Sequence, residues 1–243
     1  EERRKAAHMQ VWSIIRQIAT VDVNPYSGPT MDTVVLGPEF LTLTTKEAIF
    51  EPPRQLPPDA VEQANDMVDY MVRSGLAMEA ASSYNHNVLL IPKKKERGSD
   101  KQSWRLCNDL RKINEKTLRT HWRLLPTSSS LEAVAAYDRF GVSDAVAGYY
   151  QTRIDPAIAY KFSFSVGNRR LIPHRSLMGG LNSGSAFCLG MARAIGHLST
   201  GICELDKRNK QIIRHPDLLA AAKKRYEEGV RVVLTEKTTL TNT

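Results

Sequence analysis

The chain has 243 residues, which is enough for one large domain or two small ones. Its composition, 42% hydrophobic and 25% charged, is that of an ordinary globular protein. No apolar run approaches the roughly 18 residues that a membrane-spanning helix needs, and the N-terminal sequence has no signal-peptide core. The formal charge of +8 favours a polyanionic partner, and nucleic acid before a membrane.

Three cysteines, Cys107, Cys188 and Cys203, lie far apart in the sequence. There is no Cys-x-x-Cys pair and no Cys/His cluster with the spacing of zinc ligands. We therefore expect reduced thiols, no structural metal and an intracellular protein.

Residues 1–50 are predicted to form an N-terminal extension. Its first part is an amphipathic helix with Val11, Ile14, Ile15 and Ile18 on one face. The rest is rich in Pro, Gly and Thr, and it predicts one or two short strands within residues 34–43 among loops. No residue of this extension is a candidate for chemistry.

A helix follows the proline-rich stretch at residues 52–58. Asp59 and Glu62 predict a capping box at its start, and Gly75 predicts its end. The apolar positions of this helix are predicted to share one face: Val61, Ala64, Val68, Met71 and Val72.

The next stretch predicts a β-hairpin with a basic tip. The strand VLLIP delivers Lys93, Lys94 and Lys95 to a polar loop, and SWRLCNDLRKIN returns as a second strand that carries Arg105. A cationic hairpin of this kind can close on a triphosphate, because lysine acts as a point charge and arginine as a bidentate fork. The alternative is a solvated basic loop.

A short apolar run, Phe140 and Val142, ends at Asp144. A strand that ends in a carboxylate can hold a metal ligand at a sheet edge. Gly148 gives the backbone room to turn, and Tyr149 presents a flat ring nearby. The alternative is an ordinary turn, in which Asp and Gly are common.

A second hairpin is predicted after this run. Tyr160, Phe162 and Phe164 alternate on one side of a strand, GNRR makes the turn, and LIPHRSL returns. The stretch GGLNSGSAF then leads into a helix.

Three of these stretches occur in the order found in the reverse transcriptases of LTR retrotransposons and retroviruses. Motif A of that family has a Phe, a catalytic Asp, a Gly-Tyr pair and a Gln, which match Phe140, Asp144, Gly148–Tyr149 and Gln151. The stretch WRLCNDLRKIN resembles the fingers signature of the family, and GGLNSGSAF resembles its motif B. The resemblance covers about residues 50–198.

The resemblance implies an α+β fold, the fingers and palm of a right-hand polymerase. We expect a domain at residues 51–243 that follows the extension at 1–50, without a thumb, connection or RNase H region within these 243 residues.

The resemblance also implies roles for individual residues. Asp144 corresponds to the metal-binding aspartate. Lys94 or Lys95 and Arg105 correspond to residues that bind the phosphates of the incoming nucleotide. Tyr149 corresponds to the aromatic residue that stacks under the sugar and excludes a 2′-OH.

Two further elements have implied roles. Asp109 and Arg111 match an Asp-x-Arg pair that holds the fingers together, and Gly180 and Ser185 would let a base pair or template strand approach closely. Motif B nevertheless departs from the family pattern. The usual Pro-Phe is replaced by Met178–Gly179, and the segment is one residue short.

Motif C is the largest departure. Polymerase chemistry uses two Mg²⁺ ions held by carboxylates, and the family supplies some of these from a Tyr-x-Asp-Asp hairpin that does not occur in this chain. The best match places Asp206 at the first aspartate and Lys207 at the second. A lysine there would repel Mg²⁺ and could neutralise Asp144, so we expect no polymerase activity.

These observations support three hypotheses. The first is a catalytically inactive, reverse-transcriptase-derived domain that serves as a basic RNA-binding or structural component of a ribonucleoprotein complex, without a cofactor. The second is part of an active RNA-directed DNA polymerase, with Mg²⁺ on Asp144 and the other carboxylates supplied elsewhere. The third is a protein–protein scaffold with acidic partners. In the first, phosphates of RNA or of an RNA–DNA hybrid contact a basic set: Lys93, Lys94, Lys95, Arg97, Arg105, Arg169 and Arg170.

Overall fold

A computed structural model of the chain describes residues 35–93, 102–122, 145–195 and 216–228, with shorter pieces at 9, 12–13, 15–17, 19–21, 139–140, 203–205, 211–213, 233–234 and 241–242. The chain divides into two compact units. The hairpin unit comprises residues 35–121 and 152–186, and the terminal unit comprises residues 1–34, 122–151 and 187–243.

The described strands, in chain order, are β1 (Thr20–Val21), β2 (Val35–Leu36), β3 (Ala77–Glu79), β4 (Asn87–Pro92), β5 (Trp104–Asp109), β6 (Arg139–Phe140), β7 (Arg153–Ile154), β8 (Phe164–Val166), β9 (Arg169–Pro173), β10 (Cys203–Leu205), β11 (Gln211–Ile213), β12 (Val233–Leu234) and β13 (Thr241–Asn242). The α-helices are α1 (Val61–Arg73), α2 (Arg111–Glu115), α3 (Pro156–Ala159), α4 (Ser183–Ile195) and α5 (Pro216–Glu227). Single 3₁₀ turns are formed by Pro38–Phe40, Pro58–Ala60, Gly148–Gln151 and Tyr160–Phe162.

The core of the hairpin unit is an antiparallel sheet with the strand order β3–β9–β8. Helix α1 contacts β3, β5 and β8. It buries a stripe of side chains spaced by three or four residues, which is the spacing of one helix face: Ala60, Ala64, Val68 and Met71.

The predicted helix α1 is confirmed, but two details of the prediction are wrong. The cap residue is Ala60 and makes no side-chain hydrogen bond, because a 3₁₀ turn that starts at Pro58 leads directly into the helix. The predicted capping box of Asp59 and Glu62 is therefore not formed. Val61 and Val72 lie to one side of the buried stripe and are 40% and 37% exposed.

Strands β4 and β5 form the predicted hairpin, with Leu90 opposite Leu106. The backbone N–H of Trp104 donates to Gln63 Oε1 of α1 at 3.0 Å, so the hairpin is tied to the helix.

The second predicted hairpin is formed by β8 and β9, but its first strand is shorter than predicted. Asp155 caps helix α3 by accepting a hydrogen bond from the Ala157 N–H, and the chain continues into the 3₁₀ turn Tyr160–Phe162. Tyr160 and Phe162 therefore do not alternate with Phe164 in a strand.

The turn of this hairpin contains only Gly167 and Asn168, since Val166 pairs with Arg169. Gly167 has a φ of +58°, a conformation that glycine adopts without strain. Arg169 and Arg170 consequently belong to β9 and not to the turn, which corrects the prediction.

Residues 35–50 lie in the hairpin unit, although the sequence assigned them to an extension. Strand β2 pairs in parallel with β7, and Leu36, Phe40 and Leu41 are buried. Only one short strand forms among the described residues 35–43, because Pro38 begins a 3₁₀ turn. That the reverse-transcriptase-like domain begins after residue 50 stays a prediction.

In the terminal unit, residues 9, 12, 13 and 15 are helical and Trp12 is 1% exposed. Ile15 is half-buried, whereas Val11, Ile14 and Ile18 lie outside the described residues. The strand pairs of this unit are β1–β12, β6–β13 and β10–β11.

The thiols of Cys107 and Cys188 are free, and burial raises the pKa of Cys188. Among the described residues, no helix has both the length and the apolar character needed to cross a membrane.

Gly75 ends helix α1 as predicted, with a φ of +66°. We expect Gly75→Ala to lower the free energy of unfolding by about 1 kcal/mol, because an L side chain is strained at this φ. The cost is conformational and not steric, since no described atom lies within 4 Å of an added Cβ. Urea denaturation of the two proteins measures the difference. Gly75→Asn should cost less, and equal costs for Ala and Asn would contradict this explanation.

Candidate nucleic-acid interface

The outer end of the β4–β5 hairpin presents two of the predicted phosphate-binding residues on one face. Ile91 is directly opposite Arg105, and the Lys93 N–H continues the ladder by donating to the Ser103 carbonyl at 2.8 Å. Lys93 and Arg105 are therefore diagonal neighbours on the same face of the hairpin. Both side chains are exposed.

The same face is apolar between these cations and the base of the hairpin. Leu89 and Ile91 are 40% and 48% exposed. Lys94, Lys95 and Arg97 lie outside the described residues, and their roles stay predictions.

At the inner end of the hairpin, Asp109 is 5% exposed, and its carboxylate accepts hydrogen bonds from two arginines. Arg111 donates to it in a bidentate manner, from Nε to Oδ1 and from Nη2 to Oδ2, both at 2.7 Å. Arg54 donates from Nη1 to Oδ2 at 3.3 Å. The predicted pairing of Asp109 with Arg111 is thus formed, and Arg54 joins the segment before α1 to it. We refer to these contacts of Asp109 with Arg111 and Arg54 as the Asp109 brace.

A second buried carboxylate belongs to this cluster. Glu51 lies 3.4 Å from Lys112 Nζ and 4.0 Å from Arg54 Nη2. The cluster therefore combines two buried carboxylates with three cations whose side chains are 46–74% exposed. This arrangement fixes the base of the hairpin and leaves a positive outer surface.

Hydrogen bonds from the Arg111 side chain lower the pKa of the Asp109 carboxyl to about 2, against an opposing effect of burial. The charged form of Asp109 is thus the form that the fold stabilises.

His86 joins the base of the hairpin to the β8 side of the sheet. It is fully buried, its backbone bonds to Ser163 and Ser165, and its Nε2 lies 2.9 Å from the Lys161 carbonyl. Burial lowers its pKa, so the neutral imidazole is favoured and Nε2–H donates to that carbonyl.

The segment that resembles motif B is held by two asparagines. Asn114 donates from Nδ2 to the Gly179 carbonyl at 2.7 Å, and its Oδ1 accepts from the Leu181 N–H at 2.8 Å. Asn182 is 3% exposed and bonds to the backbones of Phe40, Leu118 and Thr120. The segment is therefore clamped to its surroundings on both sides of Gly180.

Gly179 and Gly180 of this segment differ in why a larger residue would be unfavourable. Gly179 has a φ of +92°, which L side chains rarely adopt. At Gly180 an added Cβ would lie 2.5 Å from Ser183 Oγ, a flexible side chain. The close approach of nucleic acid to Gly180 stays a prediction. Ser185 Oγ donates to the Thr120 carbonyl at 3.1 Å, so its hydroxyl is already used within the chain.

In the terminal unit, Tyr149 is half-buried and packs on Phe187, with ring centroids 5.7 Å apart. A Cβ at position 148 would lie 2.9 Å from Phe187 Cε2, which explains the glycine there. Asp144 lies outside the described residues, so its distance from Tyr149 is not defined.

The two arginines of β9 have different environments. Arg169 donates to Asp69 at 2.7 Å and, from Nε at 2.9 Å, to Glu79, which raises its pKa further. Arg170 donates from Nη1 to the Ser82 carbonyl at 3.2 Å and lies over the ring of Phe50. The ion pairs of Arg169 indicate a structural role, whereas Arg170 remains a candidate for phosphate contact.

The region of the missing Tyr-x-Asp-Asp motif contains a β-hairpin. Cys203 pairs with Ile213 and Leu205 with Gln211 in antiparallel register. Asp206 and Lys207 fall on the connection between these strands, outside the described residues. Helix α5 follows in the sequence.

Within the described part of the chain, no three His, Cys, Asp or Glu side chains come together in a group that could hold a metal ion. The carboxylates proposed from sequence as ligands, Asp144 and Asp206, are not among those residues. A metal-binding role for either stays a prediction.

Sequence reasoning missed Arg54, Asn114 and Asn182. Arg54 sits in a proline-rich loop, and the two asparagines read as ordinary helix-end or turn residues. Their partners are 55 to 142 residues away in the chain, so no local pattern identifies them.

No protein-family model matches the chain. Among curated proteins it is similar to the retrovirus-related Pol polyprotein from transposon 412 of Drosophila melanogaster, with 30% identity over 128 residues, 53% of this chain and 10% of that protein. The Pol polyprotein from transposon opus of the same species is 22% identical over 64% of this chain and 15% of its own length. The chain thus spans about a tenth to a seventh of these relatives.

Among solved structures it is similar to the prototype foamy virus protease-reverse transcriptase, with a TM-score of 0.62 and 15% identity over 82% of this chain and 26% of that one. A foamy viral protease-reverse transcriptase in complex with RNA/DNA hybrid gives a TM-score of 0.62 at 14% identity, over 82% of this chain and 27% of that one. The resemblance to the reverse transcriptase domain of LTR retrotransposons and retroviruses is confirmed, and so is the α+β fold of fingers and palm.

The Asp109 brace has a defined pH dependence. Because the pKa of Asp109 is lowered from an ordinary 3.8 to about 2, its stabilisation is complete above about pH 4 and is lost as the pH falls towards 2. We expect Asp109→Asn to lower the free energy of unfolding at pH 7 by roughly 2 kcal/mol and to flatten its dependence on pH in this window. Urea unfolding between pH 2 and 7 measures both effects.

The matched control is Asp66→Asn, which removes an exposed carboxylate of α1. It should leave the shape of the pH profile unchanged. Parallel pH profiles for wild type and Asp109→Asn would show that the brace does not depend on this charge.

Proposed function

We propose that this chain is a reverse-transcriptase-derived domain that binds nucleic acid through phosphate contacts, as a component of a ribonucleoprotein assembly, and that it has no polymerase activity of its own. The observation that carries the proposal is the braced hairpin, on which Lys93 and Arg105 share one exposed face. A rigid base with cations at its outer end suits a polyanion, since less freedom is lost when it binds.

The charge of the whole chain supports the same partner. The excess of eight positive charges gives long-range attraction to a polyanion. Some solved structures similar to this chain are foamy viral enzymes in complex with RNA/DNA hybrid or double-stranded DNA. By analogy we propose that the hairpin face contacts the backbone of RNA or an RNA–DNA hybrid.

The absence of polymerase activity is supported by the geometry around Gly179. The family places an aromatic residue at this position, whereas here the backbone has a φ of +92°, and Asn114 bonds to the Gly179 carbonyl and to the Leu181 N–H. The pocket for a nucleotide would therefore lack one wall. The lysine that replaces an aspartate after Asp206 points in the same direction.

A second candidate function is part of an active RNA-directed DNA polymerase. Two observations favour it: the β10–β11 hairpin in the region expected for motif C, and the packing of Tyr149 on Phe187. In that case Asp144 would hold Mg²⁺, and the remaining carboxylates would come from elsewhere.

Primer extension on an RNA template separates the two functions. We expect no extension by this chain with Mg²⁺ or Mn²⁺, because a two-metal site needs more carboxylates than Asp144. Asp144→Ala is the matched variant. Extension that Asp144→Ala abolishes would overturn the proposal in favour of the polymerase.

Binding can be tested with the double variant Lys93→Gln/Arg105→Gln. We expect its affinity for an RNA/DNA hybrid to fall about 10-fold at 100 mM salt, and the slope of log K against log salt to decrease by about 2, because each lost phosphate contact removes close to 0.9 from the slope. Fluorescence anisotropy at several salt concentrations measures both quantities.

The control variant is Lys46→Gln, which removes an exposed positive charge outside the hairpin. It should change the affinity for the hybrid much less than the double variant does. No binding by the wild-type chain at 50 mM salt would reject the proposal and favour a scaffold for acidic proteins.

A further inference from the structure

The hairpin unit carries two exposed aromatic rings, each of which has a cation over one face. Phe50 is 48% exposed, and the guanidinium carbon of Arg170 lies 5.1 Å from its ring centroid. Tyr160 is 38% exposed, and Lys161 Nζ lies 5.9 Å from its ring centroid. Both cations therefore lie against aromatic rings that remain open to solvent.

Short contacts connect the two pairs into one surface. Arg170 donates from Nη1 to the Ser82 carbonyl at 3.2 Å, and Ser82 Oγ donates to the Tyr160 carbonyl at 2.8 Å. We refer to this surface as the aromatic patch, which comprises Phe50, Ser82, Tyr160, Lys161 and Arg170. These polar contacts fix the Arg170 guanidinium and the backbone of Tyr160 to the same residue, Ser82.

The buried neighbour Tyr84 supports the Tyr160 ring from below. The two ring centroids are 5.7 Å apart with an interplanar angle of 76°, an edge-to-face arrangement. Tyr84 is 6% exposed, so Tyr160 rests on the core and is not a loose surface side chain.

The charge of the patch is not neutralised within the described residues. Lys161 and Arg170 form no ion pair there, whereas the adjacent Arg169 is paired with Asp69 and Glu79. Successive residues of a strand point to opposite faces of the sheet, so β9 directs Arg169 towards α1 and Arg170 towards Phe50. The patch therefore combines aromatic faces with net positive charge.

We infer that the aromatic patch binds single-stranded nucleic acid, an inference that rests on the proposed nucleic-acid binding and names its substrate class. Exposed rings beside cations are the two components of single-strand recognition: bases stack on the rings, and phosphates contact the lysine and the arginine. A duplex fits this patch poorly, because its base faces are covered by neighbouring pairs. The binding is sequence-tolerant, since every base has a π face.

The test compares two fluorescent probes, a 20-nucleotide oligo(U) and an RNA/DNA hybrid of the same length, by anisotropy at 100 mM salt. We expect Phe50→Ala/Tyr160→Ala to weaken oligo(U) binding about 10-fold or more, because each base–aromatic stack contributes substantially. Affinity for the hybrid should change less than 2-fold. Phe50→Trp should keep or improve oligo(U) binding, since it restores a larger stacking face.

Matched controls separate stacking from a general effect of truncation. Tyr70→Ala removes another exposed aromatic ring, 45% exposed on α1, and should leave oligo(U) affinity unchanged. Arg170→Gln should weaken oligo(U) binding and reduce its salt dependence. Circular dichroism of each variant verifies that the fold is retained.

The outcomes distinguish this inference from the proposed function. If the wild-type chain binds the hybrid but not oligo(U), or if the patch variants weaken both probes equally, the inference is wrong and the proposed function stands. If the wild-type chain binds neither probe, both are wrong. Unchanged oligo(U) binding by Phe50→Ala/Tyr160→Ala would also overturn the inference and direct attention to a protein partner for this surface.

Discussion

The orientation of the basic hairpin depends on one buried carboxylate. Asp109 ends strand β5 and accepts hydrogen bonds from Arg111, which begins α2, and from Arg54, which precedes α1. The loop before α1 and the junction of β5 with α2, which are distant in the chain, are therefore fixed at one point. The surrounding contacts repeat this arrangement: Trp104 bonds to Gln63 of α1, and His86 ties the start of β4 to the sheet. Asp109 and His86 thus hold the hairpin at its base, whereas the bond from Trp104 to Gln63 holds it near its outer end, beside Arg105. The outer end is therefore positioned by α1 while the side chains of Lys93 and Arg105 remain exposed.

Both surfaces proposed to bind nucleic acid present cations to solvent, but they differ in what lies beside those cations. On the hairpin, opposed strands place two cations on one face, and recognition is of charge alone. On the aromatic patch, cations lie over exposed rings, and recognition is of charge combined with stacking. A domain with both would hold a backbone and unpaired bases at once. This division fits the proposal of a domain that binds nucleic acid without polymerase activity.

The sequence predicted the elements that depend on local chemistry. The hairpin β4–β5, the end of α1 at Gly75 and the glycine turn between β8 and β9 all follow from residue pattern and are found in the structure. The errors have two sources, a competing local signal and contacts with distant segments. Tyr160 and Phe162 alternate like a strand, but Asp155 and Pro156 start a helix that carries them into a 3₁₀ turn. Arg169 and Arg170 are indistinguishable in sequence, and only the acidic groups on α1 and β3 separate their roles. The clamps at Asn114 and Asn182 have partners in remote segments and no local signal.

The backbone at Gly179 limits which side chains this position can accept. Its φ of +92° is one that L side chains rarely adopt, and Asn114 bonds to the Gly179 carbonyl and to the Leu181 N–H. A single substitution that introduced an aromatic residue here would therefore place that residue on a strained backbone. Engineering of a side chain into this position would require a change of the local backbone as well.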